Sequence, residues 1–245
     1  KGILTFKGKE YPVKVEGLSV GDVGATSLTA DGTVHNLDDL AQRNALLRAI
    51  RAEEADASGL RVWDEQLALI GGRVTAARVR LVADLAARIG PLHDAVAPPD
   101  ELEDQVGLTY ADALKDAWPG REAARADPTQ GDPQVLAQAI RDRLEGVRQK
   151  EIWNGVSLVG PQRDDLAVTL AGLPVAAHAS RGQQRTIIVA LKLAETDLLA
   201  ENGGPSPIVL LDDVFSELDP ERSARVLDLL RQRGQVLVTI TDPAL

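Results

Sequence analysis

An apolar run that ends in two acidic residues constrains the last third of this chain more than any other feature. The run covers residues 208–211 (IVLL) and is followed directly by Asp212 and Asp213. A short, continuous apolar run is typical of a strand buried on both faces of a parallel sheet. Such a strand delivers its acids to the carboxyl edge of the sheet, where α/β folds bind ligands. Acidic pairs also begin ordinary turns, so this motif alone leaves the functional and structural interpretations evenly balanced.

The segment after the acidic pair predicts a helix and reproduces a known spacing. Asp219 followed by Pro220 is a favourable helix start, which by itself could explain both residues. Ser216 and Asp219 also lie at the distance from the acidic pair at which the D-loop follows the Walker B strand of ABC-type ATPases. A further buried strand is predicted over residues 235–240. Strand, helix and strand in this order predict a parallel βαβ unit with a right-handed crossover.

A second helix start lies upstream of this unit. Ser180 and Gln183 have the spacing of a capping box at the start of an apolar helix that is predicted to run to Leu199. The free amides and the positive dipole end of such a terminus bind phosphate well. Capping boxes are common, so the structural interpretation suffices in isolation. The acidic pair and the D-loop spacing downstream favour phosphate binding.

The first two thirds of the chain change from β to helical patterns. Residues 1–37 read as a short β-rich segment. Residues 38–152 predict a helical arm, and residues 153–245 an α/β lobe. The arm helices are predicted over 38–58, 60–89 and 132–151, with short strands near 107–110, 156–159 and 167–170.

Two glycine-containing pairs mark the longest of these helices. Gly71-Gly72 interrupts its pattern and permits a bend, and Gly90-Pro91 is expected to stop it. An irregular stretch separates it from the next helix. We therefore expect two antiparallel helices with an irregular tip, which form a short coiled-coil-like arm.

Composition excludes several classes of protein. The chain has no cysteine, no apolar run of membrane-spanning length and no signal-peptide pattern, so we expect a cytoplasmic protein. Its net charge of −10 opposes DNA binding by a uniformly basic surface. The chain contains no Met and begins with Lys1, so we expect a fragment or a processed product of a longer protein.

Isolated ionisable residues leave two questions open. The three histidines are far apart in sequence and have no zinc-ligand spacing, which indicates ordinary surface or packed side chains. Basic residues form either a local DNA-facing stripe or an ordinary solvated surface; they are Arg141, Arg143, Arg148, Lys150, Arg163, Arg181 and Arg185.

Several motifs together resemble the RecF family of DNA replication and repair proteins. They are residues 42–48 (QRNALLR), 62–67 (VWDEQL), 160–166 (GPQRDDL), 180–186 (SRGQQRT), 191–195 (LKLAE), 210–213 (LLDD) and 216–219 (SELD). The resemblance covers about residues 38–245. It implies an ABC-type ATPase head with a parallel sheet, related to Rad50 and SMC heads, plus an antiparallel helical arm.

The resemblance also implies an activity and partners. RecF proteins dimerise in an ATP-dependent manner, bind double-stranded DNA and act with RecR and RecO in recombinational repair of gaps. By position, Asp212 would hold Mg²⁺ and Asp213 would activate water. The signature residues would contact the γ-phosphate of ATP held by the opposite subunit; they are Ser180, Arg181, Gly182 and Gln183. Ser216 and Asp219 would line the same dimer interface.

Two departures from the family pattern affect these expectations. Gln162 stands where the family motif usually has His. The P-loop, G-x-x-x-x-G-K-[ST], is missing from this sequence, because the one Gly-Lys pair, Gly8-Lys9, is followed by Glu10 and predicts a hairpin turn. We therefore expect weak ATP binding by this chain alone. The alternative to a RecF-like ATPase is a non-catalytic assembly module that acts in trans on a partner ATPase.

Overall fold

The larger part of the chain has a defined architecture. The computed structural model describes residues 2–6, 9–13, 35–101, 105–114, 117–118, 121, 131–201, 207–212 and 214–239. The chain divides into two compact units, Lys1–Thr33 and Val34–Leu245.

The first unit contains one β-hairpin. Strands β1 (Gly2–Phe6) and β2 (Lys9–Val13) pair antiparallel, with Phe6 opposite Lys9. This pairing confirms the predicted hairpin, although Gly8 and residues 14–34 lie outside the described residues.

The second unit begins with helix α1 (His35–Arg51), followed by a 3₁₀ turn at Ala57–Gly59 and the long helix α2 (Leu60–Val96). The turn is capped by Asp56, whose carboxylate accepts a hydrogen bond of 2.7 Å from the amide of Ser58. Helix α1 starts at His35, before the predicted Asp38, and it ends at Arg51, whereas the prediction extended it to residue 58.

Helix α2 does not stop at Gly90-Pro91, so that prediction is wrong. Proline in a helix interior costs about 3 kcal/mol, and it also crowds the Cβ of the preceding residue. Gly90 has no Cβ, so the crowding of the preceding residue does not arise here. The turn beyond Pro91 buries Leu92 and Val96, at 9% and 0% exposure, and this burial of apolar surface offsets the cost of the proline itself.

Helix α3 (Pro133–Asn154) packs antiparallel to the first half of α2, as predicted for the arm. Its start is capped by Asp132, which accepts a hydrogen bond of 2.8 Å from the amide of Gln134. Helix α2 is continuous through Gly71-Gly72. A Cβ at Gly72 would lie 2.4 Å from the carbonyl oxygen of Pro133, so close approach of α3 explains this glycine.

A buried polar network joins the arm helices. The Arg43 guanidinium of α1 donates to Asp64 of α2 at 2.9 Å, to Glu151 of α3 at 2.6 Å and to the Ser157 hydroxyl at 2.6 Å. Arg43 and Glu151 are 1% and 0% exposed. Glu151 also accepts a hydrogen bond from the amide of Leu158. One buried cation thus holds three helices and the following segment.

This network explains why the predicted strand over residues 156–159 is wrong. The amide of Ser157 donates to the side chain of Asn44, and that of Leu158 to Glu151. Side chains of the arm therefore occupy the backbone donors that a strand would need for a sheet.

The strands predicted near residues 107–110 and 167–170 are confirmed. Strands β3 (Val106–Ala111), β4 (Asp165–Leu170) and β5 (Leu173–Pro174) form an antiparallel sheet in the order β3-β4-β5. This sheet packs on α2 and is followed by the short helix α4 (Val175–His178).

The last part of the unit contains a strand–helix–strand segment. Helix α5 (Arg181–Glu201) packs on α2, and it is followed by β6 (Val209–Asp212), a 3₁₀ turn at Val214–Glu217, α6 (Pro220–Leu230) and β7 (Val236–Thr239). Strands β6 and β7 pair in parallel, as predicted. Their expected burial on both faces is wrong for this chain, because Leu210 and Leu237 are 69% and 53% exposed.

The close contact at Gly72 generates a stability prediction. We expect Gly72→Ala to lower the free energy of unfolding by about 1–3 kcal/mol, because backbone atoms of α3 occupy the space of the new methyl group. Gly146→Ala is the matched control, since Gly146 lies in α3 with open space around it. That control should raise stability by about 1 kcal/mol through helix propensity. Urea unfolding measures both, and equal effects of the two substitutions would contradict the packing explanation.

Candidate functional site

The amino terminus of α5 carries the predicted signature residues. The Ser180 hydroxyl oxygen accepts a hydrogen bond of 3.1 Å from the amide of Gln183, and the Gln183 side chain accepts one of 2.9 Å from the amide of Ser180. The capping box predicted from the sequence is therefore confirmed. Ser180 and Arg181 are exposed. Both residues are consequently accessible to a group outside the chain.

Further bonds stiffen this helix start. The Gln184 side chain donates to the carbonyl of Ala179 at 3.0 Å, and the Thr186 hydroxyl donates to the carbonyl of Gly182 at 3.1 Å. Thr186 and Ile187 are buried, so the second turn is anchored in the core. The first turn is thereby held in place while its end faces outward.

The predicted D-loop forms the start of α6. Asp219 caps the helix by accepting a hydrogen bond of 2.8 Å from the amide of Arg222. This bond from the Arg222 amide holds the pKa of the Asp219 carboxyl below its usual range, although burial acts in the opposite direction. Asp219 is therefore an anion at neutral pH. Ser216 lies in the preceding 3₁₀ turn, and its side chain is outside the described residues.

The signature and D-loop residues meet through one arginine. The Arg222 guanidinium binds Asp219 at 2.5 Å, and a Cβ placed on Gly182 would lie 3.3 Å from its Nη1 atom. Sequence reasoning did not identify Arg222. Its position three residues after the capping Asp219 was the available signal, because residues with that spacing are neighbours on a helix.

Strand β6, predicted to be the Walker B strand, ends with Asp212 at its last position. Asp212 is exposed and accepts a hydrogen bond of 2.5 Å from the Thr239 hydroxyl of the neighbouring parallel strand. The carboxylate oxygen that does not take part in this bond can coordinate a hard cation such as Mg²⁺. Asp213 lies outside the described residues, so the geometry of the acidic pair stays a prediction. The described residues contain no group of three or more acidic, His or Cys side chains that could hold a metal.

The upstream motif at residues 160–166 has a structural arrangement. Gly160 has a φ of 120°, and Arg163 donates to the carbonyl of Ser157 at 2.9 Å. Asp164 accepts hydrogen bonds from the Tyr110 hydroxyl and, at 2.7 Å, from the amide of Ala113. Burial raises the pKa of the Asp164 carboxyl, and burial also raises the pKa of Tyr110. The motif thus links the arm network to strands β3 and β4.

Several of the basic residues considered as a DNA-facing stripe are engaged within the chain. Arg141 forms a two-bonded pair with Glu65, and Arg148 contacts Asp64 at 3.3 Å. Such pairs leave less free positive charge for phosphate, which favours the interpretation as an ordinary surface at these positions. Lys150 and Arg181 are exposed.

The fold and these motifs together define a lobe of the ABC-ATPase fold type that carries an antiparallel helical arm. Two solved structures share this fold. That of the recombination mediator protein RecF-ATPrS in the RecFOR pathway has a TM-score of 0.71 over 87% of this chain and 53% of that chain, at 23% identity. That of RecF-ATP in the same pathway has a TM-score of 0.69 over 88% of this chain and 53% of that chain, also at 23% identity.

Sequence comparison identifies the particular relatives. The DNA replication and repair protein RecF of Halothermothrix orenii is 36% identical over 204 residues, which is 83% of this chain and 51% of that protein. RecF of Chloroflexus aggregans is 38% identical over 211 residues, covering 83% of this chain and 50% of that protein. The resemblance to RecF is therefore confirmed, and this chain is RecF-like over most of its length.

The match to these relatives covers most of this chain but only part of each relative. The chain spans about half the length of the curated relatives it matches. No protein-family model matches it. In the part of the chain that the structure describes, no helix has the length and apolar character needed to cross a membrane.

The capping box generates a second prediction. We expect Ser180→Ala to lower the free energy of unfolding by about 1 kcal/mol, because the amide of Gln183 loses its acceptor. Ser180→Thr keeps a hydroxyl at the cap, so its free energy of unfolding should fall much less. Thermal unfolding of the two variants tests this expectation. Equal losses would show that the hydroxyl does not cap α5.

Proposed function

We propose that this chain is the arm and carboxyl-terminal lobe of a RecF-like DNA replication and repair ATPase. In this proposal, the exposed start of α5 faces ATP held by the P-loop of another polypeptide. The single observation that carries the proposal is the capping box between the exposed Ser180 and Gln183, which encloses Gly182 beside Arg222, the residue that binds the D-loop residue Asp219. RecF structures with ATP and with ATPrS support nucleotide binding by relatives of this fold.

Ser180 has the chemistry required for contact with a phosphate. Its oxygen already accepts the amide of Gln183, which leaves the hydroxyl proton to donate to an anionic oxygen. The positive end of the α5 dipole and the exposed Arg181 add favourable electrostatics. Gly182 and Gln183 complete this first turn. We therefore assign γ-phosphate recognition to these signature residues.

We assign Asp212 to hold Mg²⁺ and Asp213 to orient or activate the attacking water. Bound Mg²⁺ would neutralise charge on the phosphate oxygens. Thr239 fixes one carboxylate oxygen of Asp212, so the carboxylate is oriented without a metal. Ser216 and Asp219 are assigned to the interface across which two such lobes close.

The non-catalytic alternative rests on a specific observation. The sequence contains no P-loop, and the large apolar side chains of Leu210 and Leu237 are more than half exposed. An exposed apolar strand pair is an interaction surface or an aggregation hazard. The exposed strand pair favours an interface with a partner, and we propose that a P-loop-bearing polypeptide covers it. We propose that hydrolysis, where it occurs, takes place in that assembly.

ATP-dependent association tests the proposal. The chain is mixed with full-length RecF of Halothermothrix orenii, and complex formation is measured by light scattering with ATP, with ADP and without nucleotide. We expect the complex to form only when ATP is present. Ser180→Ala should weaken its affinity about tenfold, because a hydrogen bond to a charged phosphate is lost. Ser58→Ala, in the exposed 3₁₀ turn of the arm, is the control and should bind normally. Equal association with ATP, with ADP and without nucleotide would contradict the proposal.

We further propose that the assembly binds double-stranded DNA and acts with RecR-like and RecO-like proteins as an ATP-dependent dimer. The net charge of −10 opposes DNA binding by the chain alone. We therefore expect measurable duplex affinity for the ATP-bound assembly, falling steeply as salt rises from about 50 to 200 mM. Fluorescence anisotropy with a labelled duplex measures this. Absence of binding by the assembly at low salt would refute the DNA assignment.

A further inference from the structure

Arg222 touches three parts of the lobe that the sequence places far apart. It is in the first turn of α6, and its side chain is 12% exposed. Its guanidinium donates to Asp219 at 2.5 Å and to Glu101 at 2.6 Å. Glu101 ends the 3₁₀ turn at Pro99–Glu101, directly after α2. The same cation therefore binds the D-loop residue Asp219 and the turn that follows the longest helix.

The third contact is with the signature helix. A Cβ on Gly182 would lie 3.3 Å from Nη1 and 3.6 Å from Cζ of Arg222. The guanidinium thus lies directly against the signature glycine. The glycine provides room for the arginine within the chain, in addition to any role toward a phosphate. A side chain at this position would press on the group that binds Asp219.

Only arginine satisfies this arrangement. Its planar fork presents separate N–H groups to two carboxylates at once, whereas the lysine ammonium is a single point charge. Among the residues that the structure describes, Nε of Arg222 and one carboxylate oxygen of Glu101 are buried without a hydrogen-bond partner. Removal of the guanidinium would leave Glu101 largely buried, at 17% side-chain exposure.

The connection reaches the arm through α2. This helix has 37 residues and a length of about 55 Å. Near its start, Asp64 binds the buried Arg43, and beyond its end Glu101 binds Arg222. A continuous helix therefore runs from the polar network of the arm to the turn that carries Glu101.

We propose that Arg222 is a positioning residue that holds the signature turn of α5 and the D-loop residue Asp219 in a fixed relation to each other and to the end of α2. The consequence for nucleotide-dependent assembly rests on the proposed function. The positioning itself is a property of this chain alone, so the two can be tested separately.

Hydrogen exchange of the chain alone tests the positioning. The amides of Gln183 and Gln184 are bound by the Ser180 side chain and carbonyl. Arg222→Gln should accelerate their exchange about tenfold, because the first turn loses the support behind Gly182. Arg225→Gln is the matched control: Arg225 lies on the same helix and binds the carbonyl of Ala97 and Glu221, away from the signature. Unchanged exchange in Arg222→Gln, or equal acceleration in the control, would overturn the proposal.

Two milder variants keep the test decisive if Arg222→Gln does not fold. Arg222→Lys retains the charge but can satisfy only one carboxylate well, so exchange should accelerate partially. Glu101→Gln changes the contact without touching α5 or Asp219, and it should also accelerate exchange at Gln183. Wild-type exchange in both variants would overturn the proposal.

The assembly is measured with the same variants. With Halothermothrix orenii RecF and ATP, Arg222→Lys should weaken association severalfold, while Arg225→Gln should not. If wild-type chain assembles and Arg222→Lys assembles equally well, the positioning role is overturned. If wild-type chain does not assemble at all, the proposed function fails, and the exchange result decides the role of Arg222.

Discussion

Packing against helix α2 holds most of the larger unit together. A helix of 37 residues is longer than its neighbours can cover singly, so its first half packs on α1 and α3 and its second half on α5. Buried side chains of the arm, such as Ile140, and of the lobe, such as Ile187, belong to one hydrophobic cluster. Arm and lobe therefore share a core, and a displacement of one has to involve the other.

The Arg43 network defines how the arm is joined to the strands that follow it. Breaking a buried ion pair costs about 3–5 kcal/mol because the remaining charge is left without a partner. The arrangement around Arg43 and Glu151 is thus strongly constrained. Glu151 and Asn44 bind the amides of the next segment, and Arg163 then binds the carbonyl of Ser157. The polar network of the arm consequently fixes the backbone of the segment that leads from α3 to β4.

Local signals were the reliable part of the sequence prediction. Ser180 and Asp219 cap helices as expected, because a cap is formed between residues only a few positions apart. The parallel pairing of β6 with β7 also followed from the strand–helix–strand order. Apart from the bounds of the first helix, the predictions that were wrong concern residues whose state depends on distant partners: Pro91, the segment 156–159, and the burial of β6 and β7.

By itself, the sequence determined the starts of α5 and α6, the strand that ends in Asp212, and the RecF-like order of motifs, because each depends on short-range hydrogen bonding or periodicity. The tertiary structure alone decided that α2 continues past Pro91, since burial of Leu92 and Val96 offsets the proline. It also decided that Gly182 faces Arg222 and that Arg222 reaches Glu101, a residue 121 positions away. No local pattern encodes a contact of that separation, because the chain between the two residues must first fold to bring them together.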